Sequence, residues 1–171
     1  MTKTRWKNPD APVPTTPWDE IIPGLWMGGH VWAGPDGAER AAVPGEEFDL
    51  VISLYSRPGH GPHPDIEHLV GVVPDAPLTA GQLHTVQGLA RSAAHALDAG
   101  RRTLVRCFHG YNRSGLVVAQ CLVDRGMAPA EAITLIRSRR SPHALHNELF
   151  TDYLDTGLDA AALLRGLDPL P

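Results

Sequence analysis

The stretch 105–115, VRCFHGYNRSG, holds the residues best suited to chemistry. Arg113 follows Cys107 by six positions, Gly110 lies between them, and Ser114 comes directly after the arginine. The run 103–107 reads as a strand and the apolar run from Arg113 onward as a helix, so a tight strand-to-helix loop joins them. Such a loop converges backbone N–H groups on its centre. The helix N-terminus adds partial positive charge, and the two together make an anion site. Gly110 permits the positive φ that such a loop often needs. Arg113 can fold its planar fork over the loop and grip two oxygens of a tetrahedral anion, which lysine does not do. The same field favours the thiolate of Cys107, the nucleophilic form. A thiolate ringed by N–H donors attacks phosphorus in line and forms a phosphocysteine. Ser114 is expected to hydrogen-bond the sulfur and help it leave in the second step. Phe108, His109, Gly110, Tyr111, Asn112 and Arg113 are thus the candidate phosphate-binding positions. His109 points either to substrate or to solvent, and Tyr111 is a candidate for the cleft rim.

This chemistry also needs an acid to protonate the leaving oxygen. Asp75 lies in VPDAP, 73–77, straight after a predicted strand, and a carboxyl on a loop can close over substrate. Asp65 is the fallback, in a loop rich in Pro and Gly. A turn or helix-capping aspartate near Thr79 is the plainer alternative for Asp75.

Other elements must position these groups. Residues 1–20 carry four prolines and read as an extended arm, with a single domain over 21–171. Strands are predicted at 21–29, 48–55 and 66–73, and a short helix near 38–42. In 78–99, Leu83, Val86, Ala90, Ala93 and Leu97 draw one apolar stripe, a helix capped by Thr79 and ended by Gly100. The helix 113–125 is apolar on nearly every side and so is central and buried. A further helix starts at Pro129 and a last one spans 147–164. Alternating strands and helices predict an α/β fold, a central and mostly parallel sheet with helices on both faces.

Cys107, Gly110, Arg113 and Ser114 match the Cys-x-x-Gly-x-x-Arg-Ser/Thr signature, and here the chain resembles the protein tyrosine phosphatase superfamily, most nearly its small dual-specificity branch. The likeness extends to 22–28 (IPGLWMG), to 48–54 and to the stretch from Ser141 through Asn147 to Phe150, so it covers roughly residues 20–160. It implies a cysteine-phosphatase fold with Cys107, Arg113, Asp75 and Ser114 as catalytic residues and no metal or cofactor. Val-Pro-Asp resembles the family's Trp-Pro-Asp acid loop, at a similar separation of 107 − 75 = 32 residues. Phe108, His109, Tyr111 and Asn112 include no Lys or Arg, which argues against inositol phosphates, since relatives bind those with basic loop residues. The expected substrate is phosphotyrosine in a protein or peptide, with phosphoserine and phosphothreonine as further candidates. One departure is Arg106, where the family has His. Its charge is expected either to favour the thiolate or to be a tolerated neutral change. The strand-end guanidinium then needs a carboxylate partner or an exit to solvent.

Composition sets outer limits. The formal net charge is −4 and no basic stripe is visible, so nucleic acid is not an expected partner. No run of 18 apolar residues and no leader are visible, and with only Cys107 and Cys121 a disulfide framework is excluded, so a reducing cytoplasm is the expected setting. Thirteen of the fifteen basic residues are Arg, and Ala, Gly and Pro are plentiful, a composition like that of GC-rich bacterial genomes. His60, His63 and His68 cluster, but exposed loop histidines are the plainer reading than a metal site. Cys121 reads as a core thiol, and Trp26 and Trp32 as packing residues. Arg137, Arg139 and Arg140 form a basic cluster, either a solvated face or a recognition surface for acidic substrate segments. The rival function is a pseudophosphatase, a module that binds phosphorylated partners without turnover. Reduction of arsenate or sulfur transfer is disfavoured, because reductases of that kind carry the motif near the N-terminus and need further cysteines.

Overall fold

A computed structural model describes residues 10–167. Five strands make the main sheet: β1 (Trp18–Ile22), β2 (Leu25–Gly28), β5 (Leu50–Ser53), β6 (Glu67–Val70) and β7 (Thr103–Arg106). Their order is β1-β2-β7-β5-β6, with β1 antiparallel to β2 and every other pairing parallel. The hairpin between β1 and β2 turns at Gly24, whose φ of 85° suits glycine. Residues 39–41 form β4 (Glu39–Ala41), paired antiparallel with β3 (Val31–Ala33), and not the predicted helix. The turn at Gly37, φ 76°, sends the chain back on itself before a helix can start. β1 also begins within the residues read as an arm, and residues 1–9 of that arm lie outside the described residues.

Helix α1 (Ala80–Asp98) carries the predicted stripe, with Leu83, Val86, Ala90 and Ala93 fully buried. Thr79 accepts from the Gln82 amide while the Gln82 side chain accepts from the Thr79 amide, a capping box worth about 1 kcal/mol. Helix α2 (Arg113–Asp124) is buried from Arg113 through Leu122, as a central helix must be. Helix α3 (Pro129–Arg139) follows. The single last helix expected from sequence is two, α4 (Glu148–Thr156) and α5 (Leu158–Leu167), broken at Gly157 with φ 92°. All five helices contribute to one large core with Leu25, Met27, Leu50, Ile52 and Val105 of the sheet. The alternate strand residues Val51 and Leu104 lie in a smaller cluster with Phe48, flanked by Trp18, Trp26 and Ile66. The expected mostly parallel central sheet flanked by helices is therefore present. Parallel pairing also aligns Gly28 and Ser53 with Arg106, so the carboxyl ends of β2, β5 and β7 finish side by side. Ligand sites of open parallel sheets lie at such ends.

Candidate active site

Cys107 directly follows β7, buried at 3% exposure, with its sulfur 3.3 Å from the Ser114 Oγ. The loop that follows is defined by where its carbonyls go. The Cys107 carbonyl accepts from His30 Nδ1 at 2.8 Å, and that of Phe108 from the His30 amide at 2.8 Å. Those of His109 and Gly110 accept from Arg140 Nη2 and Nε at 2.9 and 3.2 Å. Tyr111 is served by the Leu145 amide at 3.1 Å, and Asn112 by the Leu116 amide within the first turn of α2. Six consecutive carbonyls are thus held from outside. In a planar trans peptide the following N–H points the opposite way, so the amides of residues 108–113 turn inward to the loop centre. Gly110 adopts φ 75°, and a Cβ there would stand 2.5 Å from the Gly28 backbone. A Cβ on Gly29 would meet the Phe108 carbonyl oxygen at 2.6 Å. The two glycines closing β2 let the loop pack directly on main chain.

Arg113 is buried at 5% exposure. Its guanidinium lies over the Tyr55 ring, 5.7 Å from the centroid, and Nη1 reaches the Val73 carbonyl at 3.4 Å. Its Nε has no partner among the described residues. A buried guanidinium donor of this kind is suited to an oxyanion. Beside it opens a cleft of about 630 Å³, lined by Tyr55, Val72, Val73, Pro74, Phe108 and Arg113 among others. Its walls are mostly apolar around that one charge.

Asp75 is held against the loop. Its two oxygens accept from Asn112 Nδ2 and Asn147 Nδ2, both at 2.9 Å, and the residue is 5% exposed. Burial pushes its pKa above the ordinary aspartate value, against the opposing pull of the two amides and of the Arg113 charge. Asn112 is itself fixed on every side: its oxygen accepts from the Asn147 amide, and its nitrogen also reaches His146 Nε2. His146 Nδ1 donates to the His143 carbonyl, which leaves Nε2 as the acceptor. The fallback acid, Asp65, is exposed beside His63 and joins none of these groups.

Arg106 departs from expectation. It neither pairs with a carboxylate among the described residues nor reaches solvent: at 1% exposure it donates to Ser53 Oγ, the Ala42 carbonyl and the His60 carbonyl. Desolvation lowers its pKa to about 10, so it remains a cation at neutral pH. Tyr111 also departs from expectation, because it is buried away from the rim with its hydroxyl donating to the Pro12 carbonyl at 2.6 Å. Arg140 does not belong to a solvated basic face, since its side chain has no exposed surface. Arg139 is exposed, and Arg137 caps the carbonyls of Ala144 and Leu145. His109 is half-buried between the Phe108 and Tyr111 rings. His68 bonds Ser53, His60 stacks on His30, and His63 faces Glu46 and Asp65. No set of three His, Cys, Asp or Glu side chains among the described residues is arranged to share a metal ion. Cys121 is fully buried in α2, and burial pushes its thiol up to about 12.

His30 carries a part that the sequence reading missed, although its place just after Gly28-Gly29 at the end of β2 sets it beside Cys107. Burial first, and then the Arg106 charge, lower its pKa from 6.5 to about 4. It is therefore neutral at physiological pH and donates from Nδ1 to the Cys107 carbonyl. Between pH 6.5 and 4 the unfolded chain binds a proton at this site that the folded chain refuses. Stability is then full above pH 6.5 and falls as pH drops toward 4, by about 3 kcal/mol from this residue. The lowered values of His60 and His68 act in the same direction. The urea midpoint is expected to fall between pH 7 and 4.5, and to fall less in His30→Asn, whose amide can still serve the Cys107 carbonyl. Equal pH slopes in the two proteins would rule this out.

A buried thiol at the head of a loop whose carbonyls are held from outside, a buried arginine and a buried carboxyl, all at the carboxyl ends of parallel strands, define a class. The chain has the fold of the protein tyrosine and dual-specificity phosphatases. Among solved structures it is similar to human DUSP28, with a TM-score of 0.68 and 26% identity over 88% of this chain and 98% of that one. It is also similar to a mouse putative dual specificity phosphatase solved with zinc tungstate (TM-score 0.58, 24% identity, 92% and 96% of the two chains). A third is Tk-PTP in its active form (TM-score 0.60, 22% identity, 84% and 97%). In sequence it is 33% identical over 122 residues to the RNA/RNP complex-1-interacting phosphatase of Bos taurus, covering 66% of this chain and 36% of that protein. The chain thus spans about a third of the length of that relative. No family model matches the chain. No helix among the described residues is long and apolar enough to cross a membrane.

Proposed function

We propose that the chain is a cysteine-dependent protein phosphatase that hydrolyses phosphotyrosine, with phosphoserine and phosphothreonine as slower substrates. The observation that carries this reading is the loop of residues 107–112, whose six carbonyls are all engaged from outside around the Cys107 sulfur. The thiolate attacks phosphorus in line while the P–O ester bond breaks, and Asp75 gives its proton to the departing oxygen. Water then attacks the phosphocysteine, returns a proton to the Asp75 carboxylate, and the S–P bond breaks. Ser114 Oγ–H stabilises the sulfur as it leaves as thiolate. The inward amides and the Arg113 fork carry the charge of the transferring phosphoryl group in both steps. Arg106, one residue before the nucleophile, adds a further buried positive charge beside the loop that holds the dianion.

The preference for an aryl ester rests on the cleft beside Arg113. Tyr55, Val73, Pro74 and Phe108 offer a phenyl ring apolar contact, and its volume of about 630 Å³ is ample for one. The name of the bovine relative associates that protein with RNA. A net charge of −4 and a loop without Lys or Arg at 108–112 favour peptide substrates here.

The test is a panel of phosphotyrosine, phosphoserine and phosphothreonine peptides and a 5′-phosphorylated oligoribonucleotide, assayed with wild type and Asp75→Asn. We expect the highest kcat/KM on phosphotyrosine. Asp75→Asn should lower kcat by about 10²-fold and remove the basic limb of its pH profile, where the acid must be protonated. Wild-type activity in Asp75→Asn would move the acid role elsewhere, and a preference for the oligonucleotide would overturn the substrate class. Vanadate-sensitive release of para-nitrophenol separates an enzyme from a module that only binds phosphate.

A further inference from the structure

Arg140 lies at the end of α3, far in sequence from the loop it touches. Nε and Nη2 donate to two consecutive loop carbonyls, those of Gly110 and His109. Nη1 turns the other way, to Asp19 Oδ2 at 2.7 Å, the Thr16 carbonyl at 3.0 Å and Thr16 Oγ1 at 3.1 Å. Thr16 Oγ1 in turn donates to the same Asp19 oxygen at 2.7 Å. A guanidinium with no exposed side-chain surface is tolerated only when its donors and charge are matched, and here the match comes from one carboxylate, two segment oxygens and two loop carbonyls. The same N-terminal segment touches the loop again through Tyr111, whose hydroxyl bonds Pro12, and braces the end of β2 through the Gly29 amide on the Pro17 carbonyl.

We infer that residues 12–19 and Arg140 form a clamp that sets the phosphate loop, with Arg140 as a positioning residue and Asp19 and Thr16 fixing its fork. The fork holds the two peptide planes on either side of Gly110, and so aims the amides of Gly110 and Tyr111 at the phosphate site. The chain's N-terminal segment is on this view part of the catalytic apparatus and not a spacer. The inference rests on the phosphatase reading, and its effect is on the binding of the transition-state-like anion.

Orthovanadate is the probe, titrated against wild type, Arg140→Lys and Asp19→Asn, with kcat and KM for para-nitrophenyl phosphate and the thermal midpoint measured on the same samples. Arg140→Lys keeps the charge but loses the fork. It should weaken vanadate binding and kcat/KM by about 10²-fold, the scale set by a misplacement of about 1 Å. Asp19→Asn keeps shape and loosens one anchor. It should weaken both by about tenfold, mostly in kcat, while the protein stays folded at the assay temperature. A merely structural role would lower the thermal midpoint and leave vanadate affinity of the folded fraction unchanged, which would overturn the clamp. Should Arg140→Lys not fold, Asp19→Asn decides alone by the same criterion. A wild type that neither binds vanadate nor turns over sinks the phosphatase reading itself. A wild type that binds, beside variants that bind equally well, sinks only the clamp.

Discussion

Cys107→Ser should lose at least about 10⁴-fold in kcat on para-nitrophenyl phosphate and on phosphotyrosine peptides while still binding vanadate or peptide. The substitution exchanges one atom at a buried position, so the loop carbonyls at 107–112 keep their outside partners and the amides keep their aim. What is lost is the nucleophile: the serine hydroxyl is not ionised near neutral pH, and the group it would meet is the Ser114 hydroxyl, 3.3 Å from the sulfur in the native protein. Retained binding without turnover would show that recognition and chemistry are separable at this site. Rapid-quench denaturation of wild type with a ³²P-labelled substrate should trap an acid-stable label that the variant lacks. A variant with even a few per cent of wild-type turnover would end the phosphocysteine mechanism.

Arg113→Lys should lower kcat/KM by about 10³-fold and weaken vanadate binding in parallel, although the formal charge is unchanged. The native guanidinium is poised on the Tyr55 face with Nε unpartnered among the described residues. Two of its donors can meet two oxygens of one phosphoryl group, and both contacts strengthen as the group flattens in flight. An ammonium brings one point charge, strongly hydrated, on a stem too flexible to hold that geometry. Steady-state kinetics and vanadate titration check the result together. A loss below about tenfold would mean that net charge alone, supplied in part by Arg106, satisfies the dianion.

Much of this arrangement was legible in the sequence because it is local. Strand, loop and buried helix follow one another within 103–124, and the spacing of Cys107, Gly110, Arg113 and Ser114 is a property of that one turn. Asp75 was legible as a carboxyl between two prolines after a strand. The groups that hold the loop were not, because they converge from distant segments. His30, Arg140 and Leu145 serve loop carbonyls across separations of 77, 30 or 31, and 34 residues, and no periodicity or spacing announces them. Arg140 was misread for a physical reason: three arginines within four residues look alike in sequence, whereas only one end of α3 faces the Asp19 carboxylate. The helix expected near 38–42 failed similarly, since a glycine turn and pairing with Val31–Ala33 outweighed a weak local preference.

The partners of Asp75 carry a consequence for the order in which the protein is made. Asn147 both caps α4, through its oxygen on the Leu149 amide, and donates to Asp75, and the backbone of the same residue orients Asn112. The nucleophile leaves the ribosome first, and residue 147 is polymerised 147 − 107 = 40 residues later, about two to eight seconds at ordinary elongation rates. During that interval the nascent chain carries a thiol and an arginine but no finished loop and no seated carboxyl. On the phosphatase reading, the site is complete only once residue 147 has been added and its segment has folded back onto Asn112 and Asp75.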